Sequence, residues 1–425
     1  MMTRRTLGLL ALAALVSLGS VHALDAQRAG RSEPAAPALS PEKLKRLTAE
    51  LDGYVAAGKL AGGVLWVGRR GQPAYVRAFG QRDVESRAPM REDTMFRIAS
   101  QTKALVSTAT LMLQEEGKLL IGDPVSKYLP EFRETTVAVP KAGGGYDVVK
   151  ARRPITIRDL LTHTSGVSYG AGPAADRWNA AGITGWYFAD RKEPIRETVS
   201  RMASLPFDAH PGERWVYGYS TDILGALIEQ ASGQSLDELL RSKIFVPLGM
   251  KDTSFYVPES QRDRLATVYS LGTTGRIERT PDQGGMVSQG AYASGPRRSF
   301  SGGAGLVSTA RDYARFLQMM LNGGELDGVR LLSRQTVELM TSNHLRGVAF
   351  NEGQGFGLGF SVVTDLGARG TPGSVGEYGW GGAYHSTYWV DPKEQMVVVY
   401  LTQLIPAGDV DDHAKVRALL YAAIE

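Results

Sequence analysis

Ser100-Gln101-Thr102-Lys103 sets a hydroxyl and an amine three residues apart. On a helix that spacing puts both on one face. A serine is a poor nucleophile until something takes its proton, and a lysine beside it can do so if burial lowers its pKa. The four residues therefore carry the chemistry of acyl transfer. The same spacing recurs at Ser40-Pro41-Glu42-Lys43, where Ser, then Pro, then Glu read as a helix N-terminus in a polar lead-in. About one Ser-x-x-Lys arises by accident in a chain of this content. Partner residues must decide the matter.

Two further stretches offer partners. Pro211-Gly212-Glu213-Arg214-Trp215-Val216-Tyr217-Gly218-Tyr219-Ser220 places Tyr217 in a loop ahead of an apolar helix predicted over 223–230. A phenol facing a Ser-Lys pair can exist as phenolate or relay a proton. Gly379-Trp380-Gly381-Gly382-Ala383 precedes a strand predicted over 385–390. Its glycines let backbone approach a substrate closely. The N–H of Ala383, with that of Ser100, would form an oxyanion hole.

The elements that must hold these residues follow from periodicity. Ser100 falls near the start of an amphipathic helix predicted over 96–114, with Leu105, Ala109, Met112 and Leu113 on one stripe and Gly117 as stop. A helix is expected over 41–57, then a hairpin of strands 62–67 and 74–79 around Arg70-Gly71-Gln72. Residues 118–300 read as mostly helical segments and long Gly/Pro-rich loops, including 141–146 and 170–185. Helices follow at 237–248 and 309–322, strands at 360–363, 385–390 and 396–401, and a last helix at 411–424. Strands near both ends and a helical middle imply an α/β (α+β) fold. One antiparallel sheet is closed by the two termini and flanked by helices, with an inserted, mostly helical region.

Composition narrows the function. The chain has 425 residues and a formal net charge of +4, with its basic residues dispersed, which argues against a nucleic-acid partner. Cysteine is absent and the six histidines show no metal-ligand spacing, so neither metal nor cofactor is expected. Arg4 and Arg5 precede an apolar run over 7–18, and Val21-His22-Ala23 offers a cleavage site. Residues 1–23 thus read as a signal peptide, with features of a twin-arginine signal, and the protein is expected to be periplasmic or secreted. Residues 24–40 read as a flexible lead-in and 41–425 as the hydrolase domain, with 118–300 as its insertion. No membrane span is expected in the mature chain.

With these motifs in order, the chain resembles the serine β-lactamase and penicillin-recognising family, in its class-C-like branch, and most closely the family VIII carboxylesterases. The residues that carry the resemblance are Phe96 to Lys103, Ile155 to Gly166, Pro247-Leu248-Gly249-Met250 and Gly302-Gly303-Ala304-Gly305-Leu306. The resemblance implies a β-lactamase-like fold, Ser100 as the acylated nucleophile, and Lys103 and Tyr217 as the general-base pair, without deciding which takes the proton. Trp380-Gly381-Gly382 stands in the place of the family's Lys-Thr-Gly strand.

Two departures shift the expected activity. Trp380 replaces the lysine that helps hold a β-lactam carboxylate, and Tyr219 replaces an asparagine whose amide would bond the substrate. Both suit a flat or apolar acyl or alcohol group, so Tyr219, Trp380, Gly381 and Gly382 are expected to bind substrate. The expected function is a carboxylesterase on short-chain esters through an acyl-enzyme, with weak or no β-lactamase activity. A class C-like β-lactamase, a D-amino-acid peptidase or a cell-wall-fragment binding protein are the alternatives. The partner is a small-molecule ester or amide. Asp222 is read as a helix N-cap or a catalytic auxiliary, and His163 as bonding the backbone of its own loop. His385 stands where the resemblance leads us to expect a small residue, and is left open between pocket and strand face. Gly166-Val167-Ser168-Tyr169-Gly170 matches a nucleophile elbow, but no strand precedes it and no βαβ alternation surrounds it, so Ser168 is set aside.

Overall fold

The computed structural model describes residues 39–425. The signal peptide expected over 1–23 and nearly all of the lead-in lie outside the described residues. Among those described, no helix is long and apolar enough to cross a membrane.

One eight-stranded antiparallel sheet organises the molecule. Its strands are β1 (Gly62–Arg69), β2 (Gln72–Asp83), β3 (Ala88–Pro89), β4 (Gln354–Phe356), β5 (Ser361–Val363), β6 (Tyr378–Gly382), β7 (Ser386–Asp391) and β8 (Met396–Leu401). They lie in the order β4-β5-β6-β7-β8-β1-β2-β3. The two ends of the chain therefore meet at the centre, where Val64 pairs with Leu401 and Val67 with Val398. The sequence of β8, Met-Val-Val-Val-Tyr-Leu, is buried throughout because helices cover both faces. Successive side chains alternate. Met396, Val398 and Tyr400 pack outward with Leu65, Trp389, Leu47 and Val416. Val397, Val399 and Leu401 pack inward with Phe316, Leu317 and Tyr388.

Five helices frame this sheet and the site. The outer face carries α1 (Pro41–Ala56) and α5 (Asp412–Ala422). The inner side carries α2 (Thr102–Glu115), α3 (Ser220–Ser232) and α4 (Ala310–Leu321), which begins at its N-cap Thr309. All residues of α2 from Thr102 to Leu113 are buried, so this helix is a core rod rather than the one-striped helix expected.

That helix also begins later than its periodicity implies. Phe96 and Arg97 form a short strand against Val307–Ser308, and Ser100 sits in a 3-10 turn, Ala99–Gln101, just ahead of α2. Ala99 holds φ +42°, a region that strains a residue with a Cβ. The nucleophile position is thus a bent junction between strand and helix.

The inserted region is less helical than expected. It contains α3 and the short helices Ile157–Leu161, Ala175–Ala180, Ile195–Met202 and Leu236–Leu240, but also two β-hairpins. The loop expected over 141–146 connects the strands Thr136–Pro140 and Tyr146–Lys150 of the first. Val137, Val139, Val148 and Val149 supply the β-branched content that stabilises it. The second pairs Tyr269–Leu271 with Ile277–Arg279.

Candidate active site

Lys103 is the centre of the site. Its side chain is buried, and its Nζ donates to Gly303 O at 2.7 Å, to Tyr169 Oη at 3.1 Å and to Ser100 Oγ at 3.2 Å. It also lies 4.7 Å from the centre of the Tyr217 ring. An ammonium has three N–H donors, and all three are placed. As a neutral amine it would keep two of them and turn a lone pair toward the serine hydroxyl.

Gly303 is held in turn by Asp222, a buried residue in the first turn of α3. One carboxylate oxygen of Asp222 accepts from Gly303 N at 3.0 Å and from Ser301 Oγ at 2.6 Å. Burial pushes its pKa up, against those hydrogen bonds and the Lys103 charge. Asp222 is not the N-cap of α3, a position occupied by Tyr219. Its hydrogen-bonded path to Lys103 runs through Gly303, beside the direct pull of the Lys103 charge.

Tyr217 lines the same cavity as Ser100, but its hydroxyl accepts from Trp380 Nε1 at 3.0 Å. Its ring stacks on Trp215 at 5.5 Å between centroids, within 9° of parallel. Trp380 packs against Trp215, Phe350 and Phe356. The residue in the place of a lysine is thus both an aromatic wall and an N–H donor to the tyrosine. Gly381, Gly382 and Ala383 complete this side of a cavity of about 620 Å³. A Cβ on Gly382 would collide with Ile98 O, so that glycine is needed to seat β6 against the segment carrying Ser100.

Tyr219 does not line the cavity. It is fully buried, donates to Gly185 O at 2.7 Å, and packs against Trp178, Tyr169 and Phe188. Its place two residues after Tyr217 suggested substrate contact, but the start of α3 turns the ring into the core. Its role is to support Tyr169.

Tyr169 is the residue sequence reasoning missed. It belongs to the Gly166–Gly170 stretch set aside for its serine, and it lines the cavity beside Ser100. Burial, with Tyr217 and Asp222 nearby, pushes its phenol well above the usual range, so it stays protonated. The neighbouring Ser168 accepts from Gly170 N at 3.2 Å, and no strand leads into it. The one sequence signal was Gly218: a Cβ there would collide with the backbone of Val167 and Ser168, so glycine lets the two tyrosine loops touch.

His163 does not spend its ring on its own loop. The buried imidazole packs 4.8 Å from the Tyr217 ring, and its Nδ1 has no hydrogen-bond partner. Burial, together with the Lys103 charge, lowers its pKa well below the usual histidine value. His385 does reach the cavity. Its Nε2 meets Asp412 Oδ1 at 2.6 Å, and Tyr400 donates to the other oxygen at 2.7 Å. The His413 ring stacks on it at 4.1 Å and 17°.

The ligand atoms of His385, Asp412 and His413 come within 4.8 Å of one another, a cluster the scattered histidines did not suggest. Nearly parallel rings aim their lone pairs side by side rather than at one point, so the geometry is that of a hydrogen-bonded stack. Burial, then the His385 charge, lowers the His413 pKa from 6.5 to about 4. A histidine depressed in this way is protonated first in the unfolded chain. Its neutral form leaves stability intact above pH 6.5 and costs about 3 kcal/mol as pH falls to 4. His413→Asn lacks this loss, so its melting temperature should rise relative to the parent between pH 7 and 4.5. Melting curves that shift in parallel would refute this.

Comparison with known proteins places the chain. A family model described as Beta-lactamase matches residues 47–422. Protein Rv1367c of Mycobacterium tuberculosis (strain ATCC 25618 / H37Rv) is 35% identical over 379 residues, 85% of this chain and 90% of that protein. Esterase EstB of Burkholderia gladioli is 34% identical over 395 residues, 89% of this chain and 95% of its own. Among solved structures, EstCE1, described as a hydrolase with promiscuous acyltransferase activity, superposes with a TM-score of 0.76. It is 28% identical, covering 89% of this chain and 98% of its own.

Proposed function

The chain belongs to the beta-lactamase family of serine hydrolases, and from that premise we propose that it is a carboxylesterase working through an acyl-enzyme on Ser100. Its substrates are short-chain esters, and β-lactams are turned over weakly or not at all. The observation that carries this reading is the pair of contacts flanking Ser100: a buried Lys103 bonded to its hydroxyl, and a neutral indole N–H on Tyr217. The likeness to esterases supports it.

In this mechanism Lys103 takes the Ser100 proton as Oγ attacks the ester carbonyl. The N–H groups of Ser100 and Ala383 hold the oxyanion. Collapse breaks the bond to the alcohol oxygen, and Tyr217 supplies the proton that leaves with it. Water, deprotonated by the same pair, then releases the acid and restores Ser100. Tyr169 and the Asp222–Gly303 link hold Lys103 in line, while Trp380, Gly381 and Gly382 face the substrate. The N-terminal segment over 1–23 supports export to the periplasm or beyond.

Where a lysine would set a positive charge beside the tyrosine, Trp380 supplies one N–H and no charge. An anionic β-lactam thus loses an ion pair, while a neutral ester loses nothing. The test is kcat/KM for p-nitrophenyl butyrate and for a chromogenic cephalosporin. The ester should win by at least about 100-fold, about 2.7 kcal/mol, the worth of one or two charge-assisted contacts. A preference for the cephalosporin would overturn the reading. Trp380→Phe keeps the wall and removes the donor, so kcat on the ester should fall about tenfold with little change in KM. An unaltered kcat would show the bond to Tyr217 to be idle.

A further inference from the structure

The cavity does not end at Trp380. It wraps past β6, whose Gly379 and Gly381 are bare of side chains, along Thr387 and Trp389, to Arg369, Glu377 and Arg417. At about 3.3 Å per residue, the run of chain from Gly382 back to Glu377 places this far end roughly 15 Å from the Ser100 end.

Two guanidinium groups there share one buried carboxylate. Arg369 Nη2 and Arg417 Nη1 each donate to Glu377 at 2.9 Å, and the Tyr421 hydroxyl donates to the same carboxylate at 2.8 Å. The side chains of Arg369 and Arg417 are only 11% and 13% exposed. The next carboxylate, Asp391, reaches the cluster only through Tyr421, at 2.8 Å. Two guanidiniums thus face one carboxylate directly, with the buried Asp391 as the second carboxylate of the network behind Tyr421.

Its donors are also in surplus. Arg369 Nη1 has no hydrogen-bond partner among the described residues, though it is buried against Gly373 and meets the cavity only if that loop gives way. Arg417 spends Nη1 on Glu377 and on Pro372 O at 3.0 Å, while its guanidinium lies 4.1 Å over the Trp389 ring. A buried donor without an acceptor costs free energy, and a planar fork on an aromatic floor suits a carboxylate.

We propose that the Arg369–Arg417 end of the cavity is a subsite for an anionic group, such as a carboxylate, at the far end of the substrate. This rests on the acyl-enzyme esterase reading and revises its substrate class. Short-chain esters are minimal substrates, filling only the Ser100 end, and the preferred esters are longer and carry a distal negative charge. The lysine lost from the catalytic end is thus not replaced in place. Charge recognition has moved to the opposite end of the cleft.

The test compares matched p-nitrophenyl esters, monoesters of dicarboxylic acids from succinate to dodecanedioate against the corresponding monocarboxylates. A parallel set carries the carboxylate on the alcohol side. In one set or the other, the ratio of kcat/KM, anionic over neutral, should climb with length to about tenfold, mainly through KM. Arg417→Gln should bring that ratio to about one, and Glu377→Gln, which frees both guanidiniums, should raise it further. A cluster that only braces the 370–376 loop would respond differently. Both variants would then lower neutral and anionic esters together, leaving the ratio fixed, and the proposal would fail. A ratio near one at every length in both sets would overturn it while leaving the esterase reading intact. Failure of the parent protein to cleave any neutral or anionic ester would sink both.

Discussion

Ser100→Ala should lower kcat on p-nitrophenyl butyrate by at least about 10⁴-fold, the scale at which a covalent nucleophile is lost. The substitution removes one oxygen from a half-buried turn, and the one side-chain hydrogen bond it forfeits among the described residues is that from Lys103, at 3.2 Å. Alanine is no less compatible with the turn Ala99–Gln101 than serine is. The melting temperature should therefore stay within a few degrees, so the loss is one of chemistry. Ser168→Ala is the paired control. That hydroxyl caps its own loop by accepting from Gly170 N, and activity should stay within about threefold. A Ser168→Ala variant as inactive as Ser100→Ala would mean that the elbow-like stretch carries the chemistry after all.

Lys103→Met should cost about 10³-fold or more in kcat on the same ester. Methionine nearly matches the lysine in length and suits the apolar walls of α2, so the cavity keeps its shape. What disappears is the amine bonded to the serine, and with it the donor to Gly303 O and the bond to Tyr169. Replacing a buried charge by a hydrophobe is often neutral for stability, though Gly303 O is left without its partner here. The measurement is a pair of values, kcat and melting temperature. A variant that melts close to the parent and has lost its rate supports Lys103 as base. One that keeps within tenfold of the parent rate would shift the proton-accepting role to Tyr217.

The chain was legible where periodicity and burial coincide. The strand 396–401 is apolar at every position because both faces are covered, and the helix over 309–322 shows its stripe and its cap plainly. Motif spacing likewise pointed to Ser100 and Tyr217, which the fold brings to one cavity, and to Lys103, buried behind Ser100 and bonded to its hydroxyl. Contacts between distant segments were not legible. Tyr169 meets Lys103 across 66 positions, and His385 meets Asp412 across 27. No local pattern encodes either. Tyr219 misled for the opposite reason: position within a motif gave it a ligand-facing role, whereas three aromatic neighbours draw its ring inward. The hairpin at 136–150 was hidden by its own glycine-rich turn, which reads as loop at both ends.

The pairing of Val64 with Leu401 at the middle of the sheet has a consequence for how the molecule comes into being. A strand made early in synthesis waits, with one edge unsatisfied, until nearly the whole polypeptide has emerged. Closing so large a loop delays the reward of the central ladder, which favours slow folding and a window for self-association. The β6 strand that walls Ser100 belongs to the late-arriving half, so catalytic competence should be the last property acquired. During refolding from denaturant, helical signal should recover well before the first ester is cleaved.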